Sequence, residues 1–190
     1  MKRKEQILQE IAKLMYEKGY EKTSMREISR SSNISKPGLY YHFENKQEIL
    51  FSIINDFLEK NILELKNDLK KCETPEERLF CIINSHIQAF VRQPAQTKVV
   101  IYEIHSLSTE YSKKLKPKQR ELTNIIKKEL STIMSETGVE FDINVMTFCL
   151  LGILAWIIQW YKPKGKVKPD KLAADICRFF SNGLGLEVSK

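Results

Sequence analysis

The chain has 190 residues, of which 42% are hydrophobic and 29% charged, with only 7 glycines and 6 prolines. That balance supports a folded core, excludes a disordered or collagenous chain, and disfavours a turn-rich β-sandwich. The formal net charge is +7, and residues 1–46 hold 10 basic against 6 acidic side chains. A compact basic segment points to a polyanion, nucleic acid first, although surface solubility would produce the same excess.

The nearly apolar run from Val145 to Ile158 is shorter than the roughly 20 residues of a bilayer span, so no membrane association is expected. No apolar stretch of a secretory leader follows Met1-Lys2-Arg3-Lys4. The four cysteines (Cys72, Cys81, Cys149 and Cys177) form no CxxC pair and have no histidine at ligand spacing, which predicts reduced thiols in the cytoplasm and no metal site.

Taken in order, Ile7, Ile11 and Met15 form an i, i+4, i+8 stripe, predicting a first helix over about residues 3–18 that Gly19 closes. Ser24-Met25-Arg26-Glu27 is a capping box for a short second helix, which Ser31-Ser32-Asn33 ends. Asn33 suits the left-handed conformation that such a turn often needs. Ser35 caps a third helix, with Pro37 in its first turn. Asn45-Lys46-Gln47-Glu48 opens a long helix reaching about Lys70.

Thr74-Pro75-Glu76-Glu77 opens the next helix, and Pro94 marks its end. A short apolar helix over 97–107 and a long amphipathic one over 113–136 follow. Asp142 caps a helix over 143–161, and a last helix covers about 170–184. No alternating pattern is long enough for a strand. The expectation is an all-α chain of about nine helices, divided into an N-terminal segment 1–46 and a helical domain 47–190.

Residues 24–42 have the spacing of a helix-turn-helix, whose second helix lies in the DNA major groove. Leu39 and Phe43, four apart, would pin that helix to the core. Gly38 would let its backbone approach DNA, and Tyr40, Tyr41 and His42 carry polar tips suited to phosphates or base edges. The outline alone also fits a generic helical hairpin.

The order of residues is more specific. Gly19-Tyr20-Glu21-Lys22-Thr23-Ser24-Met25-Arg26-Glu27-Ile28, then Ile34-Ser35 and Leu39-Tyr40-Tyr41-His42-Phe43-Glu44-Asn45-Lys46, resembles the DNA-binding domain of the tetracycline-repressor (TetR) family. Ser29, Ser32 and Asn33 depart from that family's usual Ala, Ala and Gly, and these changes touch only the turn. The resemblance implies phosphate contacts from Thr23, Ser24 and Lys46. It also implies base or phosphate contacts from Ser35, Lys36, Gly38, Tyr40, Tyr41 and His42. It further implies a homodimer on a palindromic operator, with half-sites roughly 34–36 Å apart.

In the same family the C-terminal helices bind a hydrophobic small molecule and pair two subunits. Phe90, Tyr102, His105, Tyr111, Phe148, Trp156, Gln159 and Trp160 interleave aromatic and polar groups as a ligand pocket does, although plain core would look similar. Leu172, Ile176, Phe179, Phe180 and Leu184 form a stripe expected at the dimer interface, together with the nearly all-apolar helix 143–161. The run from Gly152 to Gly165, followed by Pro169 and Ala173, is similar to a signature of TetR-type regulators of lipid and acyl-chain catabolism, many of which answer to acyl-coenzyme A. A basic residue is frequent there where Gln159 stands, which moves the expectation toward a free fatty acid or an uncharged hydrophobic compound.

The sequence therefore predicts a ligand-responsive repressor, needing no cofactor. A multidrug-efflux repressor and a helical interaction module without DNA binding are the alternatives. Enzymatic motifs such as a P-loop, GxSxG or HExxH are missing, so no enzyme is expected.

Overall fold

A computed structural model describes residues 2–183 of the chain, and side chains over residues 4–182. Those residues form nine α-helices and no strand. They are α1 (Lys2–Lys18), α2 (Met25–Ser31), α3 (Lys36–His42), α4 (Lys46–Leu69), α5 (Pro75–Arg92), α6 (Pro94–Glu103), α7 (Thr109–Thr137), α8 (Ile143–Trp160) and α9 (Pro169–Gly183). A single 3-10 turn, Ile104–Ser106, follows α6.

Two boundaries differ from the sequence reading. The apolar segment expected over 97–107 starts at Pro94, because proline at a helix's first position sacrifices no intrahelical hydrogen bond. Helix α7 begins at Thr109, earlier than the expected 113, and runs through Pro117.

The ends are set by local chemistry. Gly19 (φ +84°) and Gly138 (φ +69°) take the left-handed conformation that closes α1 and α7. At the start of α8 the Asp142 carboxylate accepts from the Asn144 and Val145 amides at 2.8 and 3.0 Å, and these bonds hold its pKa below the ordinary carboxylate value.

The chain resolves into two compact units, and they cut across the expected division at residue 46. The first comprises residues 1–60 and 93–119. Its core is Ile11, Met15, Ile28, Leu39, Ile49, Leu50, Ile53 and Ile54, all at most 2% exposed. Within it α1 packs on α2 and α6, and α2 packs on α3. Gln47 ties α4 to the turn after α6, donating to the Ser106 carbonyl at 2.8 Å and accepting from the Ser108 amide at 2.7 Å.

The second unit comprises residues 61–92 and 120–190, and within it α5 packs on α8 and α9. Its core includes Leu79, Ile82, Ile83, Ile87, Leu130, Leu150, Ile157 and Leu172. Arg78 clamps α5 to α7 through Glu136, with Glu129 at 3.9 Å. The Tyr161 hydroxyl donates to the Val167 carbonyl at 3.0 Å and shapes the loop before α9.

Helix α8 has 18 residues, longer than the apolar run read from the sequence, and by length and composition alone it could cross a membrane. Its Leu150, Leu154, Ile157 and Ile158 are instead buried within the helical unit.

Candidate nucleic-acid interface and regulatory half

The turn between α2 and α3 is built by backbone and side-chain bonds together. Asn33 sits at φ +52°, the conformation its short amide side chain tolerates. The Ser29 hydroxyl donates to the Ile34 carbonyl at 2.6 Å, and the Ser32 hydroxyl donates to the Ile28 carbonyl at 2.7 Å. The serines that distinguish this turn thus fasten it.

Leu39 and Phe43, 0% and 3% exposed, anchor α3 as expected. That leaves the rest of α3 on the surface. Ser35, Lys36, Tyr40, Tyr41 and His42 are exposed, and Tyr41 stands 86% open to solvent. Tyr41 and His42 meet edge to face at 5.1 Å. The Ser35 hydroxyl accepts from the Gly38 amide at 3.2 Å and caps the helix. A Cβ at Gly38 would lie 3.1 Å from both Ile34 Cγ2 and Ser35 Oγ, so the capping turn packs closely around this glycine.

Three residues expected to hold phosphate are engaged inside the protein. Thr23 is 2% exposed and its hydroxyl donates to the Gly19 carbonyl at 2.9 Å. Ser24 is exposed, but its amide and hydroxyl both donate to Glu27 at 2.9 Å. The Glu27 carboxylate also accepts from Lys18, the largest influence on it, and its pKa falls to about 2. Lys46 donates to the Tyr20 and Glu21 carbonyls at 2.9 and 3.3 Å and lies 4.1 Å from the Tyr20 ring centre, so its ammonium braces the loop after α1. The spacing that puts all three in the motif does not reveal which side they face.

Arg26 and Arg30, four apart on α2, and Lys22 just before it are exposed cations that the sequence reading left out. The i, i+4 arginine spacing was the signal that could have found them.

In the second unit, Phe148 (63% exposed), Trp156 (64%) and Trp160 (54%) stand on one outward face of α8 with Cys149, Gly152 and Gln159. Phe90 is buried at 5%. Three aromatics and the glutamine read as pocket lining therefore point away from the core that holds Phe90. A helix apolar all round offers no periodicity to separate a cavity side from an outer side. In the first unit Tyr102 and His105 are exposed, while Tyr111 is half-buried and its ring tilts against Phe51 at 5.2 Å.

The stripe expected at a dimer interface also divides. Leu172 and Phe180 are each 6% exposed and belong to the chain's own core, Ile176 is half-buried, and Phe179 is 68% exposed. Leu184 lies outside the described residues. One open cleft of about 320 Å³ in the second unit is lined by Asp68, Lys71, Cys72, Cys81, Ser85 and Gln88 among others. Another of about 390 Å³ in the first unit has a floor of Leu8, Ile53, Phe57 and Gln96. Neither is lined by the residues expected to bind ligand. Among the described residues no three His, Cys, Asp or Glu side chains converge as a metal site.

A helix-turn-helix with a solvent-facing second helix, followed by a long helix and further helices, defines a DNA-binding regulator of the helix-turn-helix class. Residues 7–53 match the family described as bacterial regulatory proteins, tetR family, and residues 72–184 match the tetracyclin repressor-like C-terminal domain. The chain belongs to the TetR family of transcriptional regulators.

Among its relatives is the HTH-type transcriptional repressor KstR2 of Mycolicibacterium smegmatis, 21% identical over 188 residues that cover 96% of this chain and 90% of that protein. The fatty acid metabolism regulator protein of Bacillus subtilis is 23% identical over 121 residues, covering 64% of this chain and 62% of that protein. Among solved structures, AibR in complex with isovaleryl coenzyme A and operator DNA is 27% identical with a TM-score of 0.83, covering 93% of this chain and 97% of that one.

Proposed function

We propose that this regulator is a cytoplasmic homodimeric repressor that grips a palindromic operator through α3 and releases it on binding a fatty acyl ligand, an acyl-coenzyme A first. The observation that carries the DNA reading is the outward face of α3, with Lys36, Tyr40, Tyr41 and His42 exposed on a helix anchored from behind by Leu39 and Phe43. Arg26, Arg30 and Lys22 supply phosphate contacts, which fix register without reading sequence.

The dimer reading rests on α8 and α9. Phe148, Trp156, Trp160 and Phe179 leave more apolar surface open than scattered single residues would, and a second copy of the chain presents the same face about a twofold axis. The residues of the interface are then the outward set, not Leu172 and Phe180.

The acyl reading draws on the coenzyme A thioester bound by AibR and on the name of the Bacillus regulator. Of the residues first expected in the pocket, Phe90 keeps its place as a buried apolar wall of the helical unit. Ligand and operator oppose each other by linkage, with a coupling energy of about 1–3 kcal/mol.

Titration with isovaleryl, octanoyl and palmitoyl coenzyme A and with the free acids tests the ligand class. A cognate acyl thioester at a hundred times its Kd stabilises the fold by about 2.7 kcal/mol and raises Tm. No shift with any of them refutes the acyl reading.

A further inference from the structure

We propose that Cys72 and Cys81 are a redox-active pair that a hydroperoxide converts to an intramolecular disulfide joining the turn after α4 to α5. Cys72 lies in the short turn that ends α4, its amide donating to the Leu69 carbonyl at 3.2 Å and its thiol to the Asp68 carbonyl at 3.4 Å. Cys81 lies on α5, and the Cys72 thiol reaches that helix, 3.6 Å from the carbonyl of Glu77, one turn before Cys81. Both are half-buried, and both line the same open cleft of about 320 Å³, which gives a small oxidant access. The other two cysteines are placed differently. Cys149 is exposed on α8, and Cys177 is buried on α9 beside the Glu76 carbonyl.

The surroundings assign an order to the chemistry. Burial first, and then the neighbouring Cys72 sulfur, push the Cys81 thiol up to about 12, so Cys81 keeps its proton at neutral pH. Cys72 is therefore the attacking sulfur.

In the first step the Cys72 thiolate attacks the peroxide O–O bond. An S–O bond forms, the O–O bond breaks, and the leaving oxygen departs as an alcohol or as water, carrying the proton Cys72 gave up. Cys72 is then a sulfenic acid. In the second step the Cys81 sulfur attacks the Cys72 sulfur, the S–O bond breaks, and the hydroxyl leaves as water with the Cys81 proton. Two thiols lose two electrons, and the hydroperoxide accepts them. A thiol reductant reverses the change by exchange.

The test uses the full chain treated with hydrogen peroxide and then alkylated. Cleavage after Lys71, Arg78 and Arg92 places Cys72 and Cys81 on separate peptides, 72–78 and 79–92. The expected result is one cross-linked species joining these peptides, about 2 Da lighter than their sum and restored by dithiothreitol. Cys81→Ser stops the reaction at Cys72 sulfenic acid, which dimedone traps. The proposal is overturned if both peptides remain separately alkylated after oxidation, or if Cys72 is found linked to Cys149 or Cys177. It is overturned as well if peptide 72–78 of the serine variant takes up no dimedone.

Discussion

Replacing Trp156 with glutamate tests the pairing face of α8 most severely. Trp156 is 64% exposed in the single chain, so the substitution disturbs little of the core and the helices persist. Taking a full tryptophan surface of about 250 Å², some 160 Å² is open to a partner on each copy. At about 25 cal/mol per Å² that surface is worth about 4 kcal/mol per subunit, and about 8 kcal/mol for the symmetric pair. These are upper values, because ordering two subunits offsets part of the gain. Even half of it moves a dissociation constant by about a thousandfold. Sedimentation velocity at low micromolar concentration then finds the wild type as dimer and Trp156→Glu as monomer, with matching far-UV circular dichroism. A variant that sediments as the wild-type dimer refutes the assignment of this face.

Other expectations follow from individual contacts. Asn33→Ala, forced into φ +52°, costs about 1 kcal/mol in urea melts, whereas Asn33→Gly is close to neutral. Lys46→Ala leaves the Tyr20 and Glu21 carbonyls without their cation and costs about 1.5–3 kcal/mol, lowering Tm even without DNA. Leu39→Ala empties a fully buried site and costs about 2–5 kcal/mol, and a variant as stable as wild type would deny that α3 is anchored there.

Glu27 and His86 both lend stability that acid removes. Glu27 has a folded pKa of about 2, below its ordinary value, so its stabilisation is complete above pH 4.5 and disappears as pH falls toward 2. Half-buried His86, whose ring nitrogen pairs with the Ile82 carbonyl at 2.9 Å, has its pKa lowered mainly by burial. It therefore favours the fold above about pH 6.5 and loses that support as pH falls from there through its folded value. His86→Gln should flatten the melting profile between neutrality and mild acid, as read by Tm against pH.

The helices were legible because their caps and stop signals are local. Ser24 with Glu27, Ser35, Asp142, Gly19 and Asn33 all act within a few residues of where they stand. Leu39 and Phe43 were legible as anchors because a four-residue spacing fixes their common side. The direction of Thr23 and Lys46 was not, since it depends on bonds to Gly19, Tyr20 and Glu21 across a loop whose shape no periodicity encodes. On α8 the difficulty was different. With apolar residues on every side, Phe148 and Trp156 carry the same pattern whether they face a cavity, a core or a partner, and only the packing of Leu150, Leu154 and Ile157 decides.

The central claim is that α3 reads a duplex twice, from two symmetry-related copies. Selection of bound sequences from a random double-stranded pool tests it directly, with wild type and Tyr41→Ala run in parallel. The account predicts that wild type enriches a palindrome with half-sites about one helical turn or a multiple apart. It also predicts that affinity falls steeply with salt, and that Tyr41→Ala enriches it weakly or not at all. Recovery of no palindrome by the wild type, or of the same palindrome with equal affinity by the variant, would contradict it.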